Sequence, residues 1–207
     1  EVTVEIPDSI AQDRAGNANT ASTVLSRTFQ VSNPTVVMDS SAGNPANHAT
    51  IPVTVTFSVP VTGFSGSDIV ASNASVANFA GSGASYTFDL VAGSDGTVTA
   101  DIPANAAQDG AGNPNEAAST FERTVDTTAP SVAFSSGAAD PTNTSPIPMT
   151  VTFSESVTGF TQDDLAPSNA TISSFSGSGA SYAIELAPAG QGEVSVALGA
   201  GVASDQA

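Results

Sequence analysis

Apolar and polar residues alternate with a period of two along most of this chain, and no stretch keeps a helical period. The alternating runs predict short strands. Glu1–Ile6 and Thr23–Phe29 come first, followed by Thr35–Met38, Val53–Ser58, Asp68–Ala71, Val76–Ala80, Ser85–Val91, Thr97–Ile102 and Ser119–Val125. Thr, Val, Ile and Phe fill these runs. Gly, Asn, Ser and Pro fill the gaps, with turns predicted at Asn44-Pro45, Ser72-Asn73, Gly81–Gly83 and Gly93–Gly96. The alternation predicts an inward set of Val36, Val53, Val55, Phe57, Ile69, Phe79, Tyr86, Phe88, Leu90, Val98 and Ile102.

The pattern also repeats. Ile51–Phe64 (IPVTVTFSVPVTGF) returns as Ile147–Phe160 (IPMTVTFSESVTGF), an offset of 147 − 51 = 96 residues. Gly81–Tyr86 and Gly177–Tyr182 share one sequence, and Asp13, Asp109 and Asp205 follow the same spacing. A fixed, domain-sized period means one folded unit copied head to tail. Residues 1–30 match the C-terminal part of a repeat, 31–126 make a complete one, and 127–207 make most of a third, cut in its last loop. The chain therefore reads as a window on a longer array. Seven short antiparallel strands per repeat predict an all-β fold of tandem immunoglobulin-like β-sandwiches. Few aromatics and many Ala, Gly and Ser predict thin cores.

Charge narrows the partners. Three arginines and no lysine face twenty acidic residues, a formal net charge of −17. Such a surface repels phosphate backbones and anionic lipid, which argues against nucleic acid and against direct membrane insertion. It suits divalent cations or salty surroundings. Cysteine is absent, so neither a disulfide framework nor a thiolate metal site is available.

Five motifs in constant order carry a family resemblance: TVTFSESVTGF (Thr150–Phe160), Asp163-Asp164-Leu165, FSGSGASY (Phe175–Tyr182), DGAGNPN (Asp109–Asn115) and the DTTAP linker (Asp126–Pro130). Together they resemble the bacterial immunoglobulin-like repeats of giant surface adhesins. The resemblance covers the whole chain and implies extracellular stalk modules at a cell surface, often rigidified by calcium.

The candidate chemistry lies in the loops. Strands of a sandwich run alternately up and down, so the entering linker and the second, fourth and sixth loops share one end. In the third repeat this gathers Asp126, Glu155, Asp163, Asp164 and Asp205 at the joint with the preceding repeat. Calcium takes six to eight oxygen ligands in irregular geometry, and gathered carboxylates repel one another without a cation. A Ca2+ site at this joint is the sharp expectation; solvated acids on an acidic protein are the plain alternative. The positions 96 residues earlier hold Gln30, Val59, Ser67, Asp68 and Asp109, so three of the five acids vanish together there. Asp109 with Asn113, Asp13 with Asn17, and Asp68 are weaker candidate ligands, each also explained by turn chemistry.

Catalysis finds no constellation. The single histidine, His48, sits in a loop without a nucleophile turn, and no Lys or helix follows the Gly-Ser-Gly turns. The expected function is therefore non-enzymatic, a spacer whose partners are its neighbouring repeats. A subunit of a filament or surface layer built from other copies is one alternative, and a carbohydrate- or receptor-binding module is the other.

Overall fold

The computed structural model describes residues 1–207, and its regular secondary structure is almost wholly strand. By internal packing the chain divides into two compact units. One comprises Glu1–Ser41, Pro52–Leu90 and Thr99–Phe121; the other comprises Ala42–Ile51, Val91–Val98 and Glu122–Ala207.

In the first unit, β1 (Val2–Val4) and β2 (Leu25–Arg27) pair antiparallel. β3 (Val36–Asp39) lies against β4 (Thr50–Thr62), with Val36 opposite Phe57. Along β4, Val53, Val55, Phe57 and Val61 turn inward and are buried, while the intervening Thr54, Thr56 and Ser58 stay exposed, as the pleat of a half-buried strand requires. β5 (Val70–Ser72) pairs with β7 (Gly96–Asp101). β9 (Phe121–Val125), the other neighbour of β7, falls mainly in the second unit, as does the start of β7. The short β8 (Gln108–Asp109) pairs with the end of β4, setting Asp109 opposite Val61.

In the second unit, β10 (Val132–Ser135), β11 (Ile147–Val157) and β13 (Ala170–Pro188) form one sheet, and β12 (Leu165–Ser168) pairs with β14 (Ser195–Leu198) in another. Val151, Phe153, Tyr182, Ile184 and Leu186 from the first sheet meet Leu165, Val196 and Leu198 from the second in one core. Two antiparallel sheets closed face to face over such a core make an immunoglobulin-like sandwich. Each core is centred on four rings. Phe57, Phe64, Phe79 and Tyr86 lie with centroids 5.1–5.9 Å apart. Their counterparts Phe153, Phe160, Phe175 and Tyr182 lie 4.8–6.1 Å apart. Most contacts are edge-to-face, the arrangement that ring quadrupoles favour.

The structure corrects the sequence reading in several places. β6 (Ala74–Ala92) and β13 are extended along their whole length, where two separate strands were expected. Each nevertheless folds back on itself. Five residues of straight strand would separate Gly81 from Tyr86 by about 16 Å. A Cβ placed on Gly81 would instead lie 2.6 Å from the Tyr86 Cα. The side-chain amide of Asn78 donates to Asp89 across the resulting hairpin at 2.7 Å. The expected strands Val76–Ala80 and Ser85–Val91 are its two arms, and the turn at Gly81–Gly83 is its bend. The expected strand Asp68–Ala71 starts late, at Val70, because Gly66–Asp68 is a 3-10 turn. The Asp68 carboxylate accepts both the amide and the hydroxyl of Ser65, at 2.8 and 2.7 Å, and closes that turn. β1 and β2 are shorter than the alternation predicts. Of the expected inward set, Phe79 is only half-buried, whereas Ile51, Val61, Phe64, Ala100 and Phe121 are buried beyond it.

Candidate metal centre

Three chain segments build the site. Asp126 directly follows β9, where its own N–H donates to the Ala46 carbonyl at 3.0 Å. Its carboxylate accepts the Thr128 N–H at 3.2 Å, an Asx turn that starts the linker. Glu155 lies near the end of β11, in a stretch between Thr152 and Val157 where the register with β13 shifts. Such irregularities turn side chains away from the regular alternation. Asp205 is carried by the last loop, which is pinned to β11 by paired backbone hydrogen bonds between Thr158 and Ser204 at 2.7 and 3.0 Å.

These three carboxylates converge, with one oxygen from each lying within 4.8 Å of the others, and all three residues are half-buried. Burial, then the charges of Asp126 and Asp205, push the Glu155 carboxyl above the usual carboxylate range. That direction marks an electrostatic conflict which a cation would resolve.

Asp163 and Asp164, expected in the same group, lie outside it. Asp164 closes the 3-10 turn Gln162–Asp164 by accepting the amide and hydroxyl of Thr161 at 2.7 and 2.9 Å. Asp68 does the same work one repeat earlier. The Asp-Gly-Ala-Gly-Asn loops likewise spend their carboxylates on themselves. One oxygen of Asp109 accepts the N–H groups of Ala111 and Asn113, both at 2.9 Å. The other accepts the side-chain amides of Asn113 and Gln30, at 2.9 and 3.0 Å. In the first loop Asp13 accepts from Ala15 and from both the amide and the side chain of Asn17. Side-chain donation from Asn17 and Asn113 leads the effects that hold Asp13 and Asp109 below the usual carboxylate range. These loops are hydrogen-bonded turns.

The equivalent of the three-carboxylate group at the preceding joint is Gln30, Val59 and Asp109. There the cluster is replaced by a hydrogen bond from the Gln30 amide to Asp109. One joint gathers negative charge; the other has exchanged it for a neutral donor.

Two contacts escaped the sequence reading. Asn115 is buried, its oxygen accepting the Ala107 N–H at 2.7 Å and its nitrogen donating to the Pro103 and Glu116 carbonyls. Asn19 repeats the arrangement 96 residues earlier, and that shared spacing was the available signal. Asp95, in the Gly93–Gly96 turn, straps the linker. It accepts the Thr127 N–H at 3.0 Å and the hydroxyls of Thr127 and Thr128 at 2.8 and 2.6 Å. These bonds, the Thr128 hydroxyl foremost, hold its carboxyl below the usual range. Asp95→Ala is expected to speed hydrogen exchange at the Thr127 amide by at least tenfold, with the Thr124 amide, which donates to Asn44, unchanged. Equal exchange in both forms would show that the strap does not hold the linker.

A search of characterised proteins returned no match. No helix is long and apolar enough to cross a membrane. A family model described as a bacterial Ig-like domain matches residues 30–125 and again 126–207. Two successive matches over most of the chain, on the sandwich and the 96-residue spacing described above, establish that the chain belongs to the bacterial Ig-like domain family.

Proposed function

We propose that the chain is a spacer segment of a secreted or cell-surface bacterial adhesin-like protein, with calcium stiffening the joint at Asp126–Pro130. The observation that carries this reading is the convergence of Asp126, Glu155 and Asp205, one from the linker and two from the repeat that follows it. Calcium is a hard cation that accepts carboxylates from separate loops and completes its shell with carbonyls and water. Bound here, it ties the linker to the repeat and offsets the burial, and after it the repulsion from Asp126 and Asp205, that raise Glu155. The joint loses bending freedom, and whatever the array presents is held at a more constant distance.

Calorimetric titration of Ca2+ into the chain is expected to reveal one site, lost in the double variant Asp126→Asn/Glu155→Gln. Sedimentation should show a monomer throughout. Heat that survives the double substitution places the metal elsewhere. Calcium-driven self-association favours a filament or surface-layer subunit over a spacer.

A further inference from the structure

The joint at Gln30 is fastened in a way that asks for no ion. Gln30 ends the segment that follows β2, and its side-chain amide donates to the carboxylate of Asp109 at 3.0 Å. Its backbone carbonyl accepts from the side-chain amide of Asn113 at 3.2 Å. Two residues of one loop thus grip one residue of the incoming chain, by its side chain and by its backbone. The grip is preset. Asp109 is 5% exposed, and its remaining acceptor positions are taken by Ala111 and Asn113, so one direction is left for an incoming donor. Asn113 is held by the same carboxylate that Gln30 binds, which couples the two halves of the grip.

We propose that Gln30 is a metal-independent latch that fixes the orientation of the incoming chain on the repeat formed by residues 31–126. Its amide nitrogen supplies the positive end of a dipole to Asp109, the counterpart of Asp205 in the three-carboxylate group. Val59, the counterpart of Glu155, adds no charge for it to oppose. The inference goes beyond the calcium reading and stands whether or not Asp126, Glu155 and Asp205 hold a cation. It makes successive joints of one array differ in kind, one set by hydrogen bonds and insensitive to calcium.

The chain has no cysteine, so a pair introduced at the exposed Thr3 and Thr54 carries the only two spin labels. Their distance distribution by pulsed electron resonance should be narrow in the parent chain and identical in calcium and in chelator. Gln30→Ala should broaden it at every pH. Gln30→Glu should broaden it at neutral pH, where two carboxylates oppose, and narrow it again in mild acid. There the introduced carboxyl regains a proton to donate, while Asp109 stays ionised. That return distinguishes a lost latch from a chain that no longer folds. A parent distribution that widens in chelator overturns metal independence, and a Gln30→Ala distribution as narrow as the parent's overturns the latch. Neither result touches calcium binding at Asp126, which the calorimetric titration reads separately.

Discussion

The third repeat is expected to melt about 10 to 20 °C higher in saturating calcium than in chelator. Asp126→Asn with Glu155→Gln is expected to remove the difference. A ligand at a hundred times its dissociation constant stabilises the state that binds it by about 2.7 kcal/mol, and a domain of this size gains about 4–8 °C per kcal/mol. The chain provides its own reporters. Tyr86 and Tyr182 are its only tyrosines and it lacks tryptophan, so in a Tyr86→Phe background the fluorescence follows the third repeat alone. The pH dependence in chelator has a definite sign. Glu155 is raised in the folded state, so its penalty is fully present above the raised value and is relieved as pH falls through it. Asp13, Asp95 and Asp109, all outside the third repeat, are depressed, so the stability they contribute to the preceding repeats is lost only when pH falls further, through their lowered values. Mild acidification in chelator should therefore raise the melting temperature of the third repeat before the preceding repeats begin to lose stability, and Glu155→Gln should erase this early rise. A melting temperature indifferent to calcium, with no early rise, would reduce the three acids to surface charge.

The second large effect concerns the backbone. Gly177→Ala is expected to cost about 3 kcal/mol or more, enough to lower the melting temperature of the third repeat by over about 10 °C. Gly177 has φ +126°, and a Cβ there would lie 2.4 Å from the Ser181 carbonyl oxygen and 2.6 Å from the Tyr182 Cα. Both obstacles are backbone, and Tyr182 is locked in the ring cluster, so nothing can yield cheaply. Gly179, two residues on, is the control. Its φ is +63°, a region other residues visit, and its nearest neighbour is the Ser156 hydroxyl at 3.4 Å. Gly179→Ala should cost only about 1–2 kcal/mol. Equal losses at the two positions would mean that the chain does not double back where the close approach places it.

Much of the fold was legible because period-two alternation and burial are the same fact seen twice. Val53, Val55 and Phe57 had to face one way if Thr54 and Thr56 faced the other. The repeat doubled every such inference. Legibility failed where side chains act on the backbone rather than on the core. Asp68 and Asp164 looked like free carboxylates, but each closes a short turn through the residue three before it, a local bond that competes silently with metal binding. That bond keeps Asp164 out of the group, and of the five expected acids only Asp126, Glu155 and Asp205 meet. The strap of Asp95 on Thr127 and Thr128 spans 32 and 33 residues, and the position 96 residues after Asp95 holds Gln191, so the repeat did not single out that carboxylate.

The long connection from Pro103 to Glu116 would ordinarily be the first place a protease cuts, since cleavage requires a segment that can be drawn out into the enzyme's cleft. Here Asn115 anchors its far end with three hydrogen bonds, β8 stitches its middle to β4, and Asp109 ties down the Gly-rich tip. Arg14, in the equivalent loop around Asp13, is one of only three basic residues where a trypsin-like enzyme could act in the whole chain. Digestion must therefore wait for the repeat to open. Survival under proteolysis then follows the opening equilibrium of each repeat rather than the length of its loops.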